Sequence, residues 1–255
     1  MTPLRVHNFL GEAAGPHFSA VSEIVARAAG CEALPLDEPG LARLDEVIAT
    51  PGPALLYLCG LPYVRLRDGG APIEAIAAAV PVGEPAPQYF SDLVVRNGLA
   101  ADSAADLVGR RVGLNGRDSL SGYVLPYSAL LPRELAAPLY DDAIETGSHR
   151  RSLALLVAGE IDAAGIDSTL LALEARADPA IAALRVLERI GPAPIPPVVL
   201  LHGDPALAGL LRDALVSLDQ HVIGRRALEL GLIERFCEIS DGDYDPVREL
   251  DGAVR

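Results

Sequence analysis

Tryptophan and lysine are both absent from this chain of 255 residues, and only 4% of its residues are aromatic. The lack of lysine leaves arginine as the sole fixed cation, a bias of coding to which we give no functional meaning. The 21 basic residues face 35 aspartates and glutamates, so the formal net charge is −14. A chain this acidic lacks the clustered cations that phosphate backbones and anionic lipid surfaces require, which excludes nucleic acid as a general partner and attraction to such lipid. Cysteine is scarce as well. Cys31, Cys59 and Cys237 are odd in number and far apart, with none of the short spacings of a zinc site and no basis for a disulfide framework. We expect three free thiols, no metal and no cofactor. No apolar run is long enough to span a bilayer, so no membrane insertion is expected. A basic stretch followed by an apolar one, the mark of an export signal, is also missing after Met1. The expected location is periplasmic if a leader has been removed and cytoplasmic if Met1 is the native start.

What the chain has in quantity is Ala, Leu, Val and Ile. Half of its residues are hydrophobic, enough for a large core. Short apolar runs alternate with helical spacings, a pattern that predicts an α/β architecture. Strands are expected at 4–9, 33–36, 54–59, 75–82, 89–96, 111–114, 161–166 and 198–201. Helices are expected at 18–29, 41–49 and 103–107, from Ser119, from His149, and at 205–218. Ser103 and Asp204 are the expected caps of two of them. Gly60-Leu-Pro-Tyr63 reads as a turn that puts Tyr63 at the C-terminal edge of a strand, where open α/β sheets bind ligands. Prolines cluster twice, at 81–87 and at 192–197. We expect the chain to cross there between two lobes, residues 1–87 with 189–255 forming one and 88–188 forming the other, inserted lobe.

Two polar signatures stand where helices should begin, Asp118-Ser-Leu-Ser-Gly-Tyr123 and Thr146-Gly-Ser-His149. A helix start leaves backbone N–H groups without intrahelical acceptors and carries the positive end of the dipole. Two such starts, rich in hydroxyls and with a histidine, suit a small anion. Ser119 and Ser121 are equally well placed to act as a cap and a first-turn residue, and Asp167 to cap the helix that follows it. Ser121, His149 and Asp167 also have the residue types of a hydrolytic triad, but the Gly-x-Ser-x-Gly elbow is missing and no catalytic residue is assigned.

In this order along the chain, Cys59-Gly-Leu-Pro-Tyr63, Tyr89-Phe-Ser-Asp-Leu-Val-Val95, Asp106-Leu-Val-Gly-Arg110, Asp118-Ser-Leu-Ser-Gly-Tyr123, Gly147-Ser-His149, Ala158-Gly-Glu-Ile-Asp-Ala-Ala-Gly-Ile-Asp-Ser168, Gly191-Pro-Ala-Pro-Ile-Pro-Pro197 and Asp243-Tyr-Asp-Pro-Val-Arg248 match a known pattern. With these pieces the chain resembles the phosphate/phosphite/phosphonate substrate-binding proteins of ABC transporters, the PhnD-like group. The resemblance implies a type II periplasmic-binding-protein fold, with two α/β lobes, a ligand cleft and two hinge crossings. It implies capture of a small oxyanion and delivery to an ABC permease. It assigns ligand contact to Ser119, Leu120 and Ser121, to His149 and Asp167, and to Tyr63 and Tyr89 as aromatic walls. Asp167 fits an anion site if the ligand keeps a proton, since a carboxylate accepts a P–OH but repels sulfate. Members that bind aminoalkyl phosphonates carry an acidic residue for the amine, whereas Arg150 and Arg151 follow His149 here. Two alternatives stay open beside transport. One is a cytoplasmic enzyme acting on a small organic acid, with His149, Asp167 and Cys59 as its acid–base candidates. The other is a ligand sensor on the same fold.

Overall fold

The structure, a computed structural model, describes residues 2–254. Its strands are β1 (Thr2–Asn8), β2 (Cys31–Ala33), β3 (Ala54–Tyr57), β4 (Ile73–Pro81), β5 (Gln88–Val95), β6 (Val112–Leu114), β7 (Ile144–Glu145), β8 (Ala163–Asp167), β9 (Arg185–Pro194), β10 (Pro197–Leu201) and β11 (Ile233–Cys237). They form a six-stranded sheet in the order β11-β4-β10-β3-β1-β2 and a five-stranded sheet in the order β7-β6-β8-β5-β9. The chain falls into two compact units, one of everything up to Gln88 with Pro194–Asp245, the other of Tyr89–Ala193 with the chain from Pro246 onward. The segment after Asp245 thus groups with the second unit, where the sequence reading kept the whole C-terminal stretch in the first.

In the first unit β1 pairs in parallel with β2 and β3, while β10 and β11 run antiparallel to their neighbours. One core joins Leu4 and Val6 of β1 and Leu55 and Tyr57 of β3 to Val21 and Val25 of the Gly15–Ala28 helix and to Leu211 and Leu215 of the Pro205–Val216 helix. The periodic apolar stripe of each helix is what buries it. His17 lies within this packing at 2% exposure. Its ring stacks on Phe236 at 6.2 Å and its Nδ1 donates to the Ala227 carbonyl at 2.8 Å.

In the second unit β6 pairs in parallel with β7 and β8, and β5 runs antiparallel to β8. Val94, Ile166 and Ala164 of this sheet pack with Leu153 and Leu156 of the His149–Ala158 helix and Leu170 of the Ser168–Ala177 helix. At the N-terminal end of β8, Asp162 accepts from Arg96 Nε at 2.7 Å and from the backbone and side chain of Arg111. The Arg111 guanidinium above all, with Arg96, holds this carboxyl well below the usual range.

Four expectations from the sequence need correction. The strand expected at 33–36 is β2 at Cys31–Ala33, because Pro35 has no N–H for a ladder and interrupts the pairing with β1, which resumes as a single parallel bridge between Asp37 and His7. Gly60-Leu-Pro-Tyr63 is no turn but the first turn of the Gly60–Asp68 helix, where the missing N–H of Pro62 has no intrahelical role. The second proline cluster is largely strand, since β9 runs through Pro192 to Pro194 at a sheet edge, where a proline sacrifices no ladder bond. The helix expected from Ser119 begins as a π-helical turn, Leu120–Val124, before the α-helix Leu125–Leu130.

Candidate functional site

Three parallel strands of the second unit, β7, β6 and β8, end at one edge of their sheet, and each runs into a helix start. In open α/β sheets this carboxyl edge is the ligand edge. Beyond β6 comes Asn115-Gly-Arg-Asp118 and then the helical segment from Leu120 to Leu130. Beyond β7 comes Thr146-Gly-Ser148 and the helix that opens on His149. Beyond β8 the Ser168–Ala177 helix begins at once.

Each start is capped as its sequence requires. Ser119 Oγ accepts from Gly122 N–H at 2.9 Å, Ser148 Oγ from Arg151 N–H at 3.1 Å, and Asp167 Oδ1 from Thr169 N–H at 2.8 Å and Leu170 N–H at 3.2 Å. Asp167 Oδ1 also takes the Thr169 hydroxyl at 2.6 Å, while its Oδ2 accepts nothing from the described residues. The backbone N–H groups of Leu120 and Ser121, in the first turn, have no acceptor within their helix. That turn is wound wide: Val124 N–H reaches back to the Ser119 carbonyl at 3.1 Å, a five-residue step. Single π-turns of this kind recur at functional sites, because they re-aim one turn of a helix.

The side chains converge. Ser121 Oγ lies 3.1 Å from His149 Nε2, and both residues are buried, at 2% and 8% exposure. Burial pushes the His149 imidazole down from its usual value, the Asp167 charge opposing with a smaller effect, as does the Gly165 carbonyl. The shift favours the neutral imidazole. The Ser121 carbonyl is held by the Ser91 hydroxyl at 2.6 Å, and Phe90 N–H donates to Ser168 Oγ at 3.1 Å. These bonds tie β5 to both starts. Ser91 stands opposite Asp167 in the sheet register.

Glycine is required at two points. A Cβ on Gly165 would sit 3.1 Å from both the Ser121 carbonyl and Ser91 Oγ, so a larger residue would have to push the π-turn away from β8 by a few tenths of an ångström. A Cβ on Gly122 would run into the Asn115 carboxamide and lie 2.9 Å from Ser119 Oγ. Gly122→Ala is expected to displace Asn115 and the Ser119 cap, at a cost of about 1–3 kcal/mol in stability. Urea titration of the purified variant measures this.

The structure brings Ser119, Leu120, Ser121, His149 and Asp167 together at one edge. Tyr89 belongs to the same unit. It is buried at 1% exposure and lies two residues before Ser91, hence on the same face of β5. Tyr63 belongs to the first unit and is fully buried there. Its hydroxyl donates to Asp241 at 2.8 Å and its ring meets Tyr244 edge-on at 5.1 Å. Burial, then the Asp241 carboxylate, pushes its ionisation far up. Ser91, Gly165 and Asn115 escaped the sequence reading. The first two are strand residues whose importance is set by what lies across the sheet, and only Asn115, next to the hydroxyl-rich signature, stood where a local signal could have drawn attention. No group of three metal-ligating side chains occurs among the described residues, and none of the described helices is long and apolar enough to cross a membrane. Cys31, Cys59 and Cys237 are free thiols.

The two mixed sheets and the helix-start edge define a class, the periplasmic binding protein fold. The phosphonate ABC transporter binding protein PA3383 from Pseudomonas aeruginosa shares this fold at a TM-score of 0.83 and 16% identity, over 98% of this chain and 85% of that one. PhnD1 from Prochlorococcus marinus, solved with methylphosphonate, does so at 0.84 and 17%, over 99% and 98%. XAC2383 from Xanthomonas citri, solved with ATP, does so at 0.70 and 18%, over 100% and 97%. The family of periplasmic phosphonate substrate-binding proteins of ABC transporters matches residues 54–244, and the chain belongs to it. Membership implies a small ligand and a permease as partners.

Proposed function

We propose that this protein captures a small phosphorus oxyanion, a phosphonate, phosphite or phosphate-like ligand, for uptake through an ABC permease. We assign the ligand contacts to the Ser119 and Ser121 hydroxyls, the Leu120 and Ser121 N–H groups, His149 and Asp167, with Tyr89 beside them. The single observation that carries this reading is the convergence of Ser121, the buried His149 and Asp167 at three helix starts. Such donors hold an anion without a fixed cation, through dipoles and short hydrogen bonds. The Prochlorococcus marinus protein was solved in complex with methylphosphonate, which makes that compound the natural first probe for this one.

Asp167 refines the choice. With one oxygen committed to capping, Oδ2 is left to accept a proton that the ligand itself carries. A monoanionic phosphonate or phosphite offers a P–OH there, and sulfate offers only repulsion. Family membership and the absence of a triad elbow at Ser121 favour binding over catalysis.

A thermal-shift series, confirmed by calorimetry, tests this reading with methylphosphonate, phosphite, phosphate, sulfate and small carboxylates. Ligand at 100 times its Kd adds about 2.7 kcal/mol of stability. The expected result is a shift with a phosphorus oxyanion and none with sulfate. A shift with carboxylates alone, or with nothing, overturns the assignment.

A further inference from the structure

The π-turn Leu120–Val124 strands one carbonyl, that of Ser121. Within a helix such an oxygen is served by the N–H three, four or five residues further on. Here Val124 N–H reaches back to the Ser119 carbonyl and Leu125 N–H to the Leu120 carbonyl. Pro126, next in line, has no N–H to give. Ser121 is buried, and a buried carbonyl left without a donor is costly. The donor comes from the sheet instead. Ser91 Oγ of β5, itself fully buried, gives its one proton to this carbonyl at 2.6 Å. The N–H of the same peptide unit, on Gly122, donates to Ser119 Oγ at 2.9 Å. The Ser121–Gly122 peptide plane is therefore clamped at both ends, by one hydroxyl from the helix cap and one from outside the helix. Gly165 of β8 leaves room for the second clamp, since the point its Cβ would occupy lies 3.1 Å from both bonded oxygens and 3.3 Å from the Pro126 ring.

We infer that Ser91 is a positioning residue for the ligand, whose hydroxyl holds the wide turn that aims Ser121 Oγ and the Leu120 and Ser121 N–H groups. The inference rests on the oxyanion reading above and deepens it. Ser91 spends its proton on the carbonyl, so it has none for the ligand and acts only through Ser121. The clamped plane sets the rotation about the Ser121 Cα–C bond, and with it the stand of Oγ against His149 Nε2 at 3.1 Å. Without Ser91 the orphaned carbonyl has another way to be satisfied. Leu125 N–H can move from the Leu120 carbonyl to that of Ser121, the ordinary four-residue step, which rewinds the turn as α-helix and swings its donors off the ligand position. Ser91 thus selects the wide turn before the ligand arrives, so little ordering is left to be done on binding.

The test uses the intact chain, with methylphosphonate as probe and calorimetry as readout. Wild-type binding comes first, because its absence defeats the oxyanion reading itself, whatever Ser91 does. Given wild-type binding, Ser91→Ala is expected to raise Kd about tenfold, the order of one misplaced hydrogen bond to a charged group. In a Ser121→Ala background the same substitution is expected to cost about threefold or less, since part of what Ser91 aims is already gone. A residue that only supported the fold would lower the unliganded melting temperature and leave affinity unchanged, or weaken binding equally in both backgrounds. Ser91→Cys nearly keeps the shape of the side chain but donates only weakly, and it serves if the alanine variant folds poorly. It is expected to raise Kd by about threefold or more at a melting temperature near that of the wild type. Wild-type affinity in the alanine or the cysteine variant, or an equal loss with and without the Ser121 hydroxyl, overturns the assignment.

Discussion

Ser121→Ala and His149→Ala are each expected to weaken methylphosphonate binding by about ten- to a hundredfold, and the double variant by less than the product of the two. A hydrogen bond from such a buried group to a charged ligand is worth about 1.5–3 kcal/mol, and the neutral imidazole has one N–H to give, which Ser121 Oγ and the ligand share. The two side chains are also bonded to each other at 3.1 Å, so each orients its partner. If Ser121 gives its proton to the ligand, it must accept one from His149 Nε2, which fixes the imidazole tautomer. Removing either residue frees the other to turn away, and the second deletion then removes less. Coupled pairs of this kind depart from additivity by about 0.5–3 kcal/mol. Both groups are buried, so the unliganded variants will also melt lower, and affinities must be taken by calorimetry well below those melting points. Affinities that multiply cleanly would show that the two groups act separately. Unchanged affinity in the His149 variant would remove it from the site.

The second large effect concerns pH. Burial pushes the His17 imidazole down to about 4, its bond to the Ala227 carbonyl opposing that only in part. In the unfolded chain the ring titrates at its ordinary value near 6.5. Between these two values the unfolded state binds a proton that the folded state refuses. Stability therefore falls as pH drops from about 6.5 toward 4, and above 6.5 this contribution is fully present and flat. The loss attributable to His17 approaches about 3 kcal/mol at the lower end. His7 and His149 are shifted in the same direction and add to the slope. His17→Asn isolates the effect, since its Nδ2–H can still donate to the Ala227 carbonyl but does not titrate near neutrality. Urea denaturation at pH 7.5 and 4.5 is expected to show a markedly smaller pH-dependent loss in this variant than in the wild type. An equal loss in both would mean that His17 is not the responsible group.

The parts of this protein that depend on neighbours in sequence could be read without coordinates. The Ser103–Asp106 capping box, the Asp204 cap and the hydroxyl-rich helix starts at Ser119 and Ser148 all work within three or four residues, and so does the apolar spacing of the Gly15–Ala28 helix. The family resemblance rests on the same short segments, and the family match bears it out. The functional edge was legible because helix caps and anion donors are the same residue types in the same places, which is also why cap and contact could not be told apart for Ser119 or Asp167. The strand order β11-β4-β10-β3-β1-β2, the burial of Tyr63 against Asp241 and the approach of the buried His149 to Ser121 all depend on groups brought together in the folded chain. Ser91 reaches Ser121 over 30 residues, and His17 reaches Ala227 over 210. Desolvation and packing act through space, so only the folded chain decides which polar groups are buried, which are satisfied, and which are left to meet a ligand.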